Sequence, residues 1–179
     1  MRTNIFENVL RKREGFTIVE LLIVVVVIAI LASITIVSYN GIQGQARQAK
    51  IESDLALFEK AIIAARTATG SVTGVITGSF STGGSCVGKP NGTDLAQLPK
   101  TDGCWTTYTN ALQKISDASG IQIQSLLDPW GRPYMLDENE TEGGPGNCTR
   151  DYIKSFSKPF LSGWNGNNAR NIVNVSAGC

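Results

Sequence analysis

The chain has 179 residues, with sixteen Lys or Arg against fifteen Asp or Glu, and no His. A net charge of +1 creates no global field to draw nucleic acid, so no direct nucleic-acid binding is indicated. The missing His excludes His-based catalytic dyads and triads, and His metal ligands. Apolar residues make up 42% of the chain but are unevenly spread: Leu21–Val37 carries no charge, while the rest is rich in Gly, Ser, Thr and Asn. That asymmetry predicts an anchor followed by one modest soluble domain.

In chain order, residues 1–14 are polar and end in a basic cluster, Arg11, Lys12 and Arg13, before Gly15 and Phe16. Leu21–Val37 makes about 25 Å of helix. With Phe16–Val19 added, the segment is long enough to cross a bilayer core of about 30 Å, which predicts a transmembrane helix over residues 16–40. The basic cluster just before it places the N-terminus in the cytoplasm. A secretory signal peptide fits poorly, because the run is long and no small-x-small site closes it. Ala32 and Ser33 are followed by Ile34, Ile36 and Val37. A plain single-span anchor leaves Glu20 unexplained. A charge at a bilayer centre costs about 2.5–3.5 kcal/mol, less near an interface, where the helix N-terminal dipole favours a carboxylate. Were the chain cut between Gly15 and Phe16, the new α-amino group would lie four residues from Glu20. A neighbouring subunit's amine would then neutralise the carboxylate inside an apolar bundle.

Residues 41–69 continue the helix as an amphipathic one. Ile51, Leu55, Phe58, Ile62 and Ala65 form one stripe, with Arg47, Lys50, Glu52, Asp54, Glu59 and Lys60 at other positions. Gly70 suits the C-terminal cap.

Residues 70–179 form the predicted head. Gly, Ser and Thr dominate 70–103, which reads as an ordered loop held by Cys86 and Cys104, without a phosphate-binding GKS or GKT. A short helix is expected over 105–118, with Tyr108, Leu112 and Ile115 on one face. Ile121–Leu127, Arg132–Leu136, Asp151–Phe156 and Ile172–Val175 are the expected strands of a three- or four-stranded meander. In Asp128-Pro129-Trp130-Gly131-Arg132-Pro133-Tyr134, the Pro and Gly specify a tight turn, and Trp130 and Tyr134 supply apolar bodies with polar tips. An acidic loop follows, with Asp137, Glu138, Asn139, Glu140 and Glu142 as calcium candidates on a Gly-rich segment whose spacing is not that of an EF-hand. The four cysteines, Cys86, Cys104, Cys148 and Cys179, all follow the apolar run and read as two disulfides in an oxidising compartment. Of three connectivities, Cys86–Cys104 with Cys148–Cys179 closes the two shortest loops. No nucleophile motif such as GxSxG is present, and the carboxylates cluster in one loop without sign of a substrate cleft, so no enzyme is expected.

The stretch Gly15-Phe16-Thr17-Ile18-Val19-Glu20-Leu21-Leu22-Ile23-Val24-Val25 resembles the class III signal of type IV pilins and type II secretion pseudopilins. That resemblance implies removal of leader residues 1–15 by a prepilin peptidase, which cuts between Gly15 and Phe16 and methylates Phe16. It assigns Glu20 to subunit register during assembly. It implies a single-pass inner-membrane protein with its head outside the cytoplasm, handed by an inner-membrane assembly platform into a homo-oligomeric helical filament, an extracellular pilus or a periplasmic pseudopilus. The implied fold is α+β: a long N-terminal helix, transmembrane in its first half, packed on a small antiparallel sheet. Asp128–Tyr134 resembles the DPWGxPY stretch of major pseudopilins and several pilin-like proteins, and calcium in the following loop is a property of that group. The chain departs from the pattern at Val37, where many relatives carry Pro, and at Ala29, where many carry Gly. The leading expectation is a pilus-like filament subunit for adhesion, motility or DNA uptake. The alternatives are a major pseudopilin of a type II secretion system and a membrane-anchored monomeric binding module.

Overall fold

The computed structural model describes residues 15–138 and 151–172, with the side chains of residues 35–40 left out within the first helix. That helix, α1, spans Ile18–Thr69. The chain divides into two units, one ending at Gly44 and the other beginning at Gln45. In the first unit, the large apolar side chains from Phe16 to Ile34 are exposed around the whole helix. Among the described residues no helix is long and apolar enough to cross a membrane. The described uncharged side chains run only from Leu21 to Ile34, about 21 Å of helix against a hydrocarbon core of about 30 Å. The remainder of the expected span falls on residues 35–40.

In the second unit the amphipathic stripe behaves as its spacing requires. Ile51, Leu55, Phe58, Ala61, Ile62 and Ala65 are all buried. The helix stops at Gly70, which takes a left-handed φ of 66° and donates its N–H to the Arg66 carbonyl at 2.8 Å. Two short helices follow, α2 (Thr73–Thr77) and α3 (Gly84–Val87), then a 3₁₀ turn at Leu95–Gln97 and α4 (Gly103–Ser119). Asp102 caps α4, accepting from the Cys104 N–H at 2.9 Å. Gly120 ends it in the left-handed region. Cys104, Trp105, Tyr108, Ala111, Leu112 and Ile115 recur at helical spacing and form its buried face.

Three antiparallel strands, β1 (Met135–Asp137), β2 (Tyr152–Phe156) and β3 (Gly166–Asn171), form one sheet in the order β1-β2-β3. Strand alternation assigns its two faces to different cores. Leu136 and Ile153 join Leu55, Phe58, Leu112 and Ile115 in the main core against α1 and α4. Met135, Tyr152 and Phe156 pack with Leu95, Phe160 and the Cys86–Cys104 disulfide in a second cluster. The part of residues 70–103 around Cys86 and Leu95 is thus a cover on the far face of the sheet, while Ile76 of α2 packs against the main core, and every residue of β1 is buried. Gly83 makes the close approach possible. Its N–H donates to the Leu136 carbonyl at 2.8 Å, and a Cβ there would sit 2.8 Å from Met135 Cγ.

The Asp128–Tyr134 turn joins these layers. Asp128 Oδ1 accepts from the backbone N–H groups of Trp130 and Arg132, both at 2.9 Å, and Gly131 takes a φ of 75°. Asp128 Oδ2 pairs with Arg132 Nε at 2.7 Å, with both side chains buried. The same guanidinium donates to the carbonyls of Phe156 and Ser157 at 2.9 and 2.8 Å, at and just past the end of β2. The Tyr134 hydroxyl donates to Asp54 on α1 at 2.7 Å.

Several expectations need correction. Ile121–Leu127 is not a strand. Its backbone pairs with no strand: Ile123 N–H is bonded to Ser116 Oγ at 3.1 Å, Leu126 N–H turns back on the Ile123 carbonyl at 3.0 Å, and the Leu126 carbonyl accepts from the Tyr108 hydroxyl at 2.7 Å. Ile123 and Leu126 still fill the core. The expected Arg132–Leu136 strand is realised as Met135–Asp137, because Arg132 is taken up by the turn. The last strand is Gly166–Asn171, ahead of the expected Ile172–Val175, whose final three residues lie outside the described set. Of the two expected disulfides, Cys86–Cys104 is formed, while Cys148 and Cys179 lie outside the described residues.

Removing one member of a buried, multiply bonded ion pair strands the other charge. Arg132→Ala is expected to lower unfolding stability by about 3–5 kcal/mol in denaturant titration. Lys50→Ala removes the half-exposed partner of Asp54 and is expected to cost about 1 kcal/mol or less. Equal effects would show that the Asp128–Arg132 pair does not hold the turn.

Candidate functional site

The N-terminal site is built on the start of α1. Gly15, Phe16 and Thr17 precede the helix in non-helical backbone, and all three are exposed. Phe16 is 83% exposed. A Cβ placed on Gly15 meets nothing within 4 Å. Among the described residues nothing demands glycine at this position. The Gly15–Phe16 bond stands clear of helix hydrogen bonding, two residues before Ile18, which is where a protease can bind backbone in extended form.

Glu20 has a partner that the sequence reading missed. Its Oε2 accepts from the Thr17 N–H at 2.9 Å and from Thr17 Oγ1 at 2.8 Å, while its own N–H donates to Thr17 Oγ1 at 3.2 Å. This is a capping box, in which the cap hydroxyl and the carboxylate three residues on satisfy otherwise orphaned N–H groups at the helix start. The signal was present as Thr-x-x-Glu directly ahead of an apolar run. Thr17 would keep its amide N–H after a cut before Phe16, so the box is compatible with both forms of the chain. Beyond it, a helix apolar on all sides has no core of its own to enter. The site therefore combines an open peptide bond, a capped acidic helix start and a bare apolar cylinder.

The proposed calcium residues divide. Asp137 ends β1 beside the Tyr152 hydroxyl, and Glu138 follows it, fully buried. The Glu138 carboxylate accepts from the Thr82 N–H at 2.8 Å and from the Thr82 hydroxyl, and so belongs to the interior. Asn139, Glu140 and Glu142 lie outside the described residues. Among the described residues no cluster of three or more Asp, Glu or Cys side chains could hold a metal ion.

Burial pushes the Glu138 carboxyl up to about 7. The Thr82 hydrogen bonds oppose that rise, and the nearby Asp151 charge adds to it. Between its unfolded value of 4.5 and about 7, the folded state binds the extra proton. The stability it contributes is complete below pH 4.5 and is lost as pH rises through about 7. Glu138→Gln is expected to flatten the fall of the melting temperature across this window. An unchanged slope would mean that Glu138 does not titrate there.

Residues 10–36 match the prokaryotic N-terminal methylation motif. Neither a curated protein nor a solved structure matches the chain. The match spans Gly15, Phe16, Glu20 and the apolar run, so it covers the site just described. It points to a structural rather than a catalytic protein. The chain carries the class III signal of the type IV pilin and pseudopilin family.

Proposed function

We propose that this chain is the precursor of a structural subunit of a type IV pilus-like filament, polymerising through the first half of α1. The observation that carries the proposal is the conjunction at one end of α1: an exposed Gly15–Phe16 bond, the capped Glu20 and an apolar surface that stays exposed among the described residues. Leaving that surface in water is unfavourable by about 25 cal/mol per Å². The bilayer covers it before assembly, and the same helices of neighbouring subunits cover it in the filament. Contacts of this head-to-tail kind do not close on themselves and generate an open helical array.

In this reading a prepilin peptidase cuts between Gly15 and Phe16, leaving a methylated Phe16 amine that meets Glu20 of a neighbour. An inner-membrane platform feeds the chain, whose head lies outside the cytoplasm, into a surface filament serving adhesion, motility or DNA uptake. A type II secretion pseudopilus is the second reading, favoured by Asp128–Tyr134, where the turn and its buried ion pair form a fixed part of the head.

Two variants test the proposal. Gly15→Ala fits the fold without a clash and is expected to leave an uncut precursor in the membrane, seen as a larger band on an immunoblot. Normal cleavage would remove the processing claim. Glu20→Gln keeps a side chain that can complete a capping box but cannot carry charge. It is expected, like Glu20→Ala, to abolish filaments by electron microscopy while membrane insertion persists. Abundant filaments from Glu20→Gln would show that capping, and not charge pairing, is what Glu20 supplies.

A further inference from the structure

Beside the 3₁₀ turn Leu95–Gln97 the head holds a cavity of about 200 Å³ that the filament reading does not use. Thr93, Asp94, Arg132, Lys158, Pro159 and Phe160 are among its walls. It is smaller than the roughly 300–1,000 Å³ of drug-sized sites, so its occupant has few heavy atoms. Its charged walls come from three separate segments: Asp94 just ahead of the 3₁₀ turn, Arg132 in the Asp128–Tyr134 turn and Lys158 just past β2.

Local bonding holds these segments together. Gly92 takes a φ of 80° and donates its N–H to the Phe160 carbonyl at 2.8 Å, while Asn91 Oδ1 accepts from the Ser162 N–H at 2.7 Å. The Phe160 ring is buried against Phe156, with ring centres 5.6 Å apart. Asp94 Oδ1 accepts from the Ala96 N–H at 3.1 Å, and Oδ2 has no partner among the described residues. Arg132 is 3% exposed. Its Nε donates to Asp128, and its two terminal nitrogens donate one N–H each to the Ser157 and Phe156 carbonyls. A guanidinium carries five N–H groups, so two remain without an acceptor among the described residues. The Lys158 ammonium lies 4.8 Å from the Trp130 ring centre and makes no hydrogen bond or ion pair among the described residues. Asp94 and Lys158 thus share one cavity without pairing with each other.

We infer that this cavity binds a free α-amino acid with a small apolar side chain. A bare anion would leave the Asp94 carboxylate facing it, and a bare cation would leave the Lys158 ammonium facing it. A small molecule that carries both charges on adjacent atoms satisfies both walls. Its carboxylate takes the two open N–H groups of Arg132 and the Lys158 ammonium, as charge-assisted hydrogen bonds. Because Asp128 already balances Arg132, the guanidinium supplies direction, and Lys158 supplies the net charge. The ligand's ammonium goes to Asp94 Oδ2, and its side chain to Pro159 and Phe160. The inference is independent of how the chain polymerises, since the site lies wholly within the second unit.

The test uses the full chain in detergent micelles and equilibrium dialysis of radiolabelled L-valine, with N-acetyl-L-valine and L-valinamide as competitors. Each derivative lacks one of the two charges and is expected to compete at least about tenfold more weakly than unlabelled L-valine. Asp94→Asn keeps an oxygen for the Ala96 N–H, and Lys158→Gln keeps a polar end. With unchanged circular dichroism spectra, each variant is expected to lose about tenfold in affinity for L-valine. Absence of saturable L-valine binding, either derivative competing as well as L-valine, or full affinity in either variant would overturn the inference. The competition ratios in the unaltered protein decide the matter even if a variant misfolds.

Discussion

A helix that is apolar on every side cannot be satisfied by a single small core. A sheet or a second helix covers only one stripe of it, and the remaining side chains stay in water. From Phe16 to Ile34 that is the condition of α1, where even the least exposed of the large side chains retains nearly half its surface. The properties of this end of the molecule follow from that condition. Under the proposed function, lipid and then copies of the same helix cover this surface, the acidic residue is tolerated in such surroundings, and the chain start changes when one environment replaces the other.

Glu20 meets the second requirement in a particular way. Its carboxylate accepts two hydrogen bonds from Thr17, and its backbone N–H donates a third to the Thr17 hydroxyl, all within one turn of helix. A capping box of this kind defines the first turn of α1 but is weak against the attraction of a cation in apolar surroundings. The intramolecular partner can therefore yield to an intermolecular one without unravelling the helix. In the second unit, α1 is an ordinary amphipathic helix. It shares a core with α4 and one face of the sheet, while the disulfide-linked segment covers the other face. The Asp128–Arg132 pair ties the turn to the end of β2, so the layers hold together through polar contacts as well as apolar ones.

The legible parts were those governed by strong periodicity or a costly residue. The stripe from Ile51 to Ala65, the Gly70 cap, the face of α4 and the Cys86–Cys104 bridge all follow from spacing and chemistry that admit few alternatives. The sheet was less legible because its strands are short. Ile121–Leu127 alternates like a strand, yet its N–H groups are taken by Ser116 and by its own turn. Gly166–Asn171 carries almost no apolar residue, since it is held by backbone pairing, by Arg170 on Glu59 at 3.0 Å and by Asn168 on Gln48. At Gly166 a Cβ would collide with the Ser155 carbonyl, a requirement visible only once the partner strand is known. At the N-terminal site, the Gly, Phe and Glu were legible as a motif. The capping role of Thr17 is equally present in the Thr-x-x-Glu spacing. The DPWGRPY stretch was read as a turn with two aromatic anchors, whereas Asp128 and Arg132 do most of its bonding.

The proposed assembly depends on which residue begins the chain once it has left the membrane. Filaments sheared from cells and analysed by peptide mass spectrometry give that directly. The expected N-terminal peptide begins at Phe16, one methyl group heavier than its sequence requires, with no peptide from residues 1–15. Assembled filaments whose subunits retain Gly15 and the basic cluster before it, or begin beyond Glu20, would contradict it.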